Sequence, residues 1–233
     1  MTSDSPNTDP GYLRSYGRRR GKKQRPGRER LMDDLLPRLQ VKSGTPIPDQ
    51  FPPGTKALWL EIGFGGGEHL SQQAKAHPDI GFIGCEPFLN GVGKLLSQLD
   101  NDGSENVRIH ADDARDIFPD FPDGSLARVF VLFPDPWPKT KHHKRRLIQT
   151  PFLDDLARML EDGGEFRLAS DHMGYVRWAL AHVSRHPDFE WMAEGPEDWR
   201  EPPEDWIGTR YEQKRLAGDT IVYLRFRRKP RTG

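Results

Sequence analysis

Apolar runs short enough to be strands alternate with stretches of helical spacing from residue 57 to residue 186, and this alternation leaves the chain few architectures. Residues 57–62, 80–86, 107–111, 126–133 and 165–170 read as strands. Helices are expected between them at 68–77, 90–99 and 147–160, the last closed by the helix-stop pair Gly163-Gly164. A helix at 175–186, a short strand at 189–193 and an alternating strand at 220–226 complete the pattern. Strands joined by helical crossovers make an open, mostly parallel α/β sheet with helices on both faces. Ligands of such sheets bind outside the carboxyl ends of the strands, near the switch in strand order.

An acid stands at each of five consecutive strand ends. Glu61 lies late in the first strand and Glu86 closes the second; Asp113, Asp135 and Asp171 follow the third, fourth and fifth. One such acid is an ordinary cap or turn residue. Repeated placement marks a site. The first strand runs into Gly63, Gly65 and Gly67, a loop whose backbone a ligand can approach closely. The dinucleotide fingerprint needs a glycine where Glu68 stands, and a glutamate at a helix start repels a pyrophosphate. A nucleoside without phosphate escapes that objection. Glu86 is placed to take both ribose hydroxyls, and Asp113-Ala114 to accept from an adenine amino group. Ribose, adenine and no phosphate describe S-adenosylmethionine.

The fourth strand ends in Phe133-Pro-Asp-Pro-Trp-Pro-Lys139, where prolines that cannot donate to a ladder stop it. Asp135 and Trp137 stand between those prolines. An acid and a flat ring at a strand's end suit a planar substrate, on which Trp137 either stacks or merely fills space. Five cations follow within eight residues, Lys139, Lys141, Lys144, Arg145 and Arg146, with His142 and His143 among them. Such a run is either a solvated helix start or a contact for a polyanion.

The formal net charge is +0, yet residues 1–30 hold nine Lys/Arg against three acids, and residues 188–205 hold eight acids against Arg200 alone. A neutral total therefore hides basic patches fit for nucleic acid. Residues 1–30, rich in Gly, Pro and Arg, read as a mobile basic arm, and residues 31–233 as a single domain whose first helix is expected at 31–39. With Cys85 the sole cysteine, no intrachain disulfide can form. Neither a signal-peptide core nor an apolar run long enough for a membrane span occurs, and no Cys/His spacing suggests a metal. A cytoplasmic protein, monomeric or weakly dimeric, with no membrane or metal partner, is expected.

These residues resemble the bacterial tRNA (guanine-N7)-methyltransferase family across nearly the whole chain. The resemblance is carried by Leu60-Glu-Ile-Gly-Phe-Gly65, Glu86-Pro87, Asp113-Ala114, the proline-rich stretch with Arg145-Arg146-Leu147, Ser170-Asp171 and Thr209-Arg-Tyr-Glu212. The proline-rich stretch and the last one are specific to that family, whereas the glycine loop is common to methyltransferases. The resemblance implies a Rossmann-like class I methyltransferase fold with a seven-stranded, mostly parallel sheet. It implies methyl transfer from S-adenosylmethionine to N7 of a guanosine in the tRNA variable loop. Glu61, Glu86, Asp113 and Asp135 would then meet the cofactor together with Gly63, Gly65, Gly67 and Ala114, with Asp135 the catalytic residue. Lys139, Asp171, Thr209, Arg210, Tyr211 and Glu212 would meet the substrate. Lys141, His142, His143, Lys144, Arg145 and Arg146 would meet RNA. Pro138 departs from the family, which often has a polar residue there, and should stiffen the loop.

The chemistry agrees with the residues. Guanine N7 carries an unshared pair and can attack a sulfonium methyl without losing a proton, so no general base is needed. Catalysis then rests on positioning and on electrostatic support for the moving charge. Beside N7 the base shows O6, which suits Lys139; its opposite edge carries N–H donors that suit Glu212 or Asp171. Three other readings compete. A methyltransferase for exocyclic amines of nucleic acid or protein often has adjacent prolines after the fourth strand, whereas Asp135-Pro-Trp-Pro138 separates them. A nicotinamide-dependent oxidoreductase is disfavoured by Glu68, and a non-catalytic RNA-binding protein by the retention of every acid.

Overall fold

The computed structural model describes residues 19–209, 212 and 220–232. Arg210 and Tyr211, both expected at the substrate, and most of the expected arm lie outside these residues. One sheet holds β1 (Ala57–Ile62), β2 (Ile80–Cys85), β3 (Val107–His110), β4 (Leu126–Leu132), β5 (Leu160–Ser170), β6 (Phe189–Trp191) and β7 (Val222–Arg228). Their order is β3-β2-β1-β4-β5-β7-β6. The first five strands run parallel, and β7 is antiparallel to both its neighbours. The order reverses between β1 and β4, so the ligand crevice of an open sheet belongs above their carboxyl ends.

Helices α1 (Pro26–Asp34), α2 (Leu36–Leu39), α3 (Glu68–Ala76), α4 (Leu89–Asp102), α5 (Thr150–Met159), α6 (Met173–Val183) and α7 (Glu197–Arg200) connect or flank the strands. The strand alternation sorts the core. Leu58, Leu60 and Ile62 of β1 join Val129, Val131, Phe166 and Leu168 against α5 and α6. Phe82, Val107 and Ile109 pack on the opposite face against α3, α4 and the first two helices. On this second face β4, β5 and β7 carry Arg128, Glu165, Arg167 and Arg225, and the loop bearing Asp205 lies over them. Glu165 meets Arg128, Arg167 and Arg225 at 3.1, 2.9 and 2.6 Å, and Asp205 meets Arg128 and Arg167 at 2.9 and 2.8 Å. No helix among the described residues is long and apolar enough to cross a membrane.

Two expected boundaries move. The first helix begins at Pro26, inside the stretch read as an arm, because a proline is preorganised for the first helical position. The residues before it are fastened to α4: the Leu89 N–H donates to the Arg19 carbonyl at 3.0 Å, and the Gly21 N–H to Asn90 Oδ1 at 2.8 Å. The Gly163-Gly164 pair does not stop α5. That helix ends at Met159, because buried Leu160 turns extended to pair with Leu126 of β4. The glycines instead lie within β5, where its register against β4 shifts.

Candidate active site

A cleft of about 550 Å³ opens above the β1–β4 switch point, lined by Gly63, Gly65, Glu86, Phe88, Asp113, Ala114, Phe133, Asp135, Trp137 and Arg145. Six of the eight residues expected at the cofactor come together there. Glu61 and Gly67 do not line it. Glu61 faces α3, buried, with Oε2 2.7 Å from His69 Nδ1, and Gly67 caps α3 against Leu95.

The glycine loop fits a ligand that lies on bare backbone. A Cβ added at Gly63 or Gly65 would meet no protein atom within 4 Å, so both present main chain to open space. Across the loop, a Cβ at Gly91 of α4 would stand 2.0 Å from the Gly65 carbonyl oxygen, so α4 can carry only glycine there. Glu86 ties the loop to the second strand. One carboxylate oxygen accepts from the Gly65 N–H at 2.7 Å and the other from the Phe88 N–H at 2.8 Å. Burial pushes its carboxyl above the usual range; those two N–H groups pull the other way, and nearby Asp135 and Glu61 add to the rise. Each oxygen retains a lone pair for a hydroxyl donor.

Asp113 accepts from Arg115 Nε at 2.8 Å and Nη2 at 2.5 Å, and from the Arg115 N–H at 3.1 Å. Ala114 is buried beneath it. Arg19 grips neighbouring Asp112 in bidentate fashion at 3.0 and 2.8 Å, which brings the N-terminal segment to the rim.

Asp135 sits exposed on a strained turn. Phe133 (φ 51°) and Trp137 (φ 42°) both lie in the left-handed region, which bulky side chains rarely occupy. The Phe133 N–H still donates to the Ala169 carbonyl at 2.8 Å, so ladder pairing ends just as the turn begins. Beyond it, residues Thr140–Arg145 form a short 3-10 helix. Lys141 and Lys144 are exposed on it, as is Lys139 just before it, and His142 and His143 are half-buried. The Arg145 guanidinium lies over the Trp137 ring at 4.9 Å, and His142 meets that ring edge-on at 5.8 Å. Partial burial and the surrounding cations hold His142 below the usual histidine range.

Arg146 corrects an expectation. Expected with its neighbours to meet RNA, it is instead 3% exposed, with Nε donating to the Pro136 carbonyl at 3.0 Å. The reason is aromatic and backbone company on α6: Trp178 at 5.0 Å, Tyr175 at 5.6 Å and the Gly174 carbonyl at 3.4 Å.

Of the residues expected at the substrate, Lys139, Asp171, Thr209 and Glu212 are described, and none of these four lines the cleft. Asp171 is half-buried directly after β5. Glu212 accepts from the Thr209 N–H at 2.6 Å, the Tyr223 hydroxyl at 2.9 Å and Trp206 Nε1 at 3.2 Å. Burial and Glu212 raise the Tyr223 phenol well above its usual range, so it remains a donor. Trp206 also stands 5.7 Å from the His69 ring, and that contact reaches Glu61 beneath the glycine loop. The sequence reading passed over His69, Gly91, Trp206 and Tyr223. Only His69 carried a signal, since the start of α3 places it over the last residues of β1.

A family described as "Putative methyltransferase" matches residues 55–224. The tRNA (guanine-N(7)-)-methyltransferase of Rhodospirillum rubrum is 56% identical over 226 residues, covering 94% of this chain and 89% of that protein. The protein of the same name from Zymomonas mobilis is 45% identical over 231 residues, covering 98% of this chain and 100% of that one. Among solved structures, the 16S rRNA methyltransferase KamB aligns with a TM-score of 0.55 at 15% identity, over 82% of this chain and 96% of that one. At such identity the likeness speaks for the fold, which is the Rossmann-like class I methyltransferase fold. Sequence likeness over nearly the full length goes further: the chain belongs to the tRNA (guanine-N(7)-)-methyltransferase family.

Proposed function

We propose that this chain transfers a methyl group from S-adenosylmethionine to N7 of a guanosine in the variable loop of tRNA. The observation that carries this reading is the convergence of bare glycine backbone, buried Glu86 and exposed Asp135 on one cleft, beside a basic helix. When bound, the cofactor supplies an electrophilic methyl on a sulfonium. The chain's residues do the rest. Gly63 and Gly65 let a ligand lie against main chain, Glu86 accepts from ribose hydroxyls, and Asp113-Ala114 borders the adenine. Asp135 places negative charge where positive charge passes to the purine. Lys139 serves O6, and Asp171 or Glu212 accepts from the N1–H and N2–H₂ donors. Incubating the protein with labelled cofactor and unmodified cytoplasmic tRNA, then mapping the modified nucleoside, tests this. N7-methylguanosine in the variable loop is expected; a methyl on an exocyclic amine would exclude the reading.

Glu86→Ala should weaken cofactor binding by about 1.5–3 kcal/mol, the range for a hydrogen bond to a charged group. Because burial raises the Glu86 pKa, a ligand that donates to its carboxylate should bind less well as pH falls through that raised value. Titration calorimetry across mildly acid pH measures both effects. Unchanged affinity in the variant would remove Glu86 from the ribose site.

Affinity for tRNA should fall steeply with salt if Lys141, Lys144 and the basic arm meet phosphates. Replacing Lys141 and Lys144 by alanine should flatten the log–log slope by about 0.7–0.9 per lost contact and spare cofactor affinity. An unaltered slope would return these lysines to ordinary solvated surface.

A further inference from the structure

We infer that Arg146 is a positioning residue for methyl transfer, bracing the turn that carries Asp135 against the start of α6. The inference rests on Asp135 lying beside the reacting centre. Arg146 belongs by sequence to the run of cations suited to RNA, yet it is the one enclosed by protein. Burying a guanidinium is costly unless its donors are met, and here they meet backbone carbonyls. Nε donates at 3.0 Å to Pro136, the residue after Asp135, and Nη1 reaches Gly174 at 3.4 Å. The ring of Trp178 lies 5.0 Å beneath the guanidinium. That ring is itself fixed, with Nε1 donating to the Ile148 carbonyl at 2.6 Å and His182 stacked at 4.1 Å.

The turn needs such a brace for reasons of its own composition. Pro134, Pro136 and Pro138 contribute no N–H, so the segment has few means to satisfy its carbonyls or to hold its shape. Two non-glycine residues in left-handed backbone flank Asp135, and strain of that kind persists only when the surroundings impose it. One planar side chain with donors on separate atoms can span the turn and α6 together. A lysine has the charge but not the fork.

Single-turnover methylation at saturating cofactor and tRNA should slow roughly tenfold to a hundredfold in Arg146→Ala, as for loss of a charge-assisted hydrogen bond. Affinity for tRNA and its salt slope should match wild type. Guanidinium at non-denaturing concentration should restore part of the rate, where potassium at equal ionic strength does not. Arg146→Lys should fall between alanine and wild type; together with Arg146→Gln it carries the same comparison should the alanine variant unfold. A wild-type rate, or a loss confined to tRNA affinity and its salt slope, would overturn the inference. Asp135→Asn measured in parallel keeps the two readings apart: a fast Asp135→Asn removes the role of Asp135, whereas the brace is judged on the Arg146 variants.

Discussion

Asp135→Asn is expected to keep a near-normal melting temperature and to lose a factor of about 10² or more in single-turnover methylation, as when one preorganised electrostatic group is removed. The fold should be spared because the carboxylate does not hold the turn. Prolines on either side fix the backbone, and Arg146 grips the Pro136 carbonyl. Asparagine keeps the size and one acceptor oxygen but loses the charge and adds an NH₂ donor. If the charge supports the transfer from sulfur to guanine, the chemical step alone should suffer. Binding of tRNA should change little, since phosphate contacts dominate it. Because N7 surrenders no proton, the wild-type rate should be flat between about pH 6 and 8, with no ionisation that follows this residue. Comparable rates in the two proteins would leave Asp135 a turn residue and nothing more.

Features that depend on local periodicity were legible in the chain. The strand ends, the glycine loop and the acids Glu86, Asp113 and Asp135 fall within a residue or two of their expected places. Side-chain direction was not. Glu61 shares the motif with Gly63 and Gly65, but strand alternation points it to the opposite face, where His69 waits on α3. Arg146 reads as one more cation in a basic run. Its burial depends on Trp178 and Tyr175, which lie some thirty residues away, and no local pattern announces such a contact. The surroundings of Glu212 were not legible either. Its partners Trp206 and Tyr223 come from either side of it in sequence, and only the fold shows that both donate to its Oε1.

Glu165→Gln is expected to lower stability by about 3 kcal/mol, the low end for breaking a buried ion pair, because the cluster around it is partly open to solvent. For a domain of this size that corresponds to a fall of roughly 6–12 °C in melting temperature. One carboxylate here serves three guanidiniums, those of Arg128, Arg167 and Arg225. Its removal leaves Arg128 and Arg167 paired with half-exposed Asp205 and takes from Arg225 its 2.6 Å partner. The sign of the pH dependence follows from both acids. Burial opposes ionisation of Glu165, but Arg167, Arg225 and Arg128 outweigh it and hold the carboxyl below 4.5. Asp205 is likewise opposed by burial and pulled from 3.8 to about 2 by Arg167 and Arg128. Groups whose folded pKa is depressed stabilise fully above the unfolded value, and that contribution is lost as pH falls through the folded one. Wild type should therefore lose its advantage over Glu165→Gln as pH drops below 4.5, while both retain the Asp205 contribution until lower pH. The same layer seats the loop that carries Trp206, Thr209 and Glu212. The variant should accordingly show a raised KM for tRNA with unchanged cofactor affinity. Thermal melts of the two proteins from neutral pH to pH 3 decide it: a gap that stays constant would mean that packing, and not charge, is what Glu165 contributes.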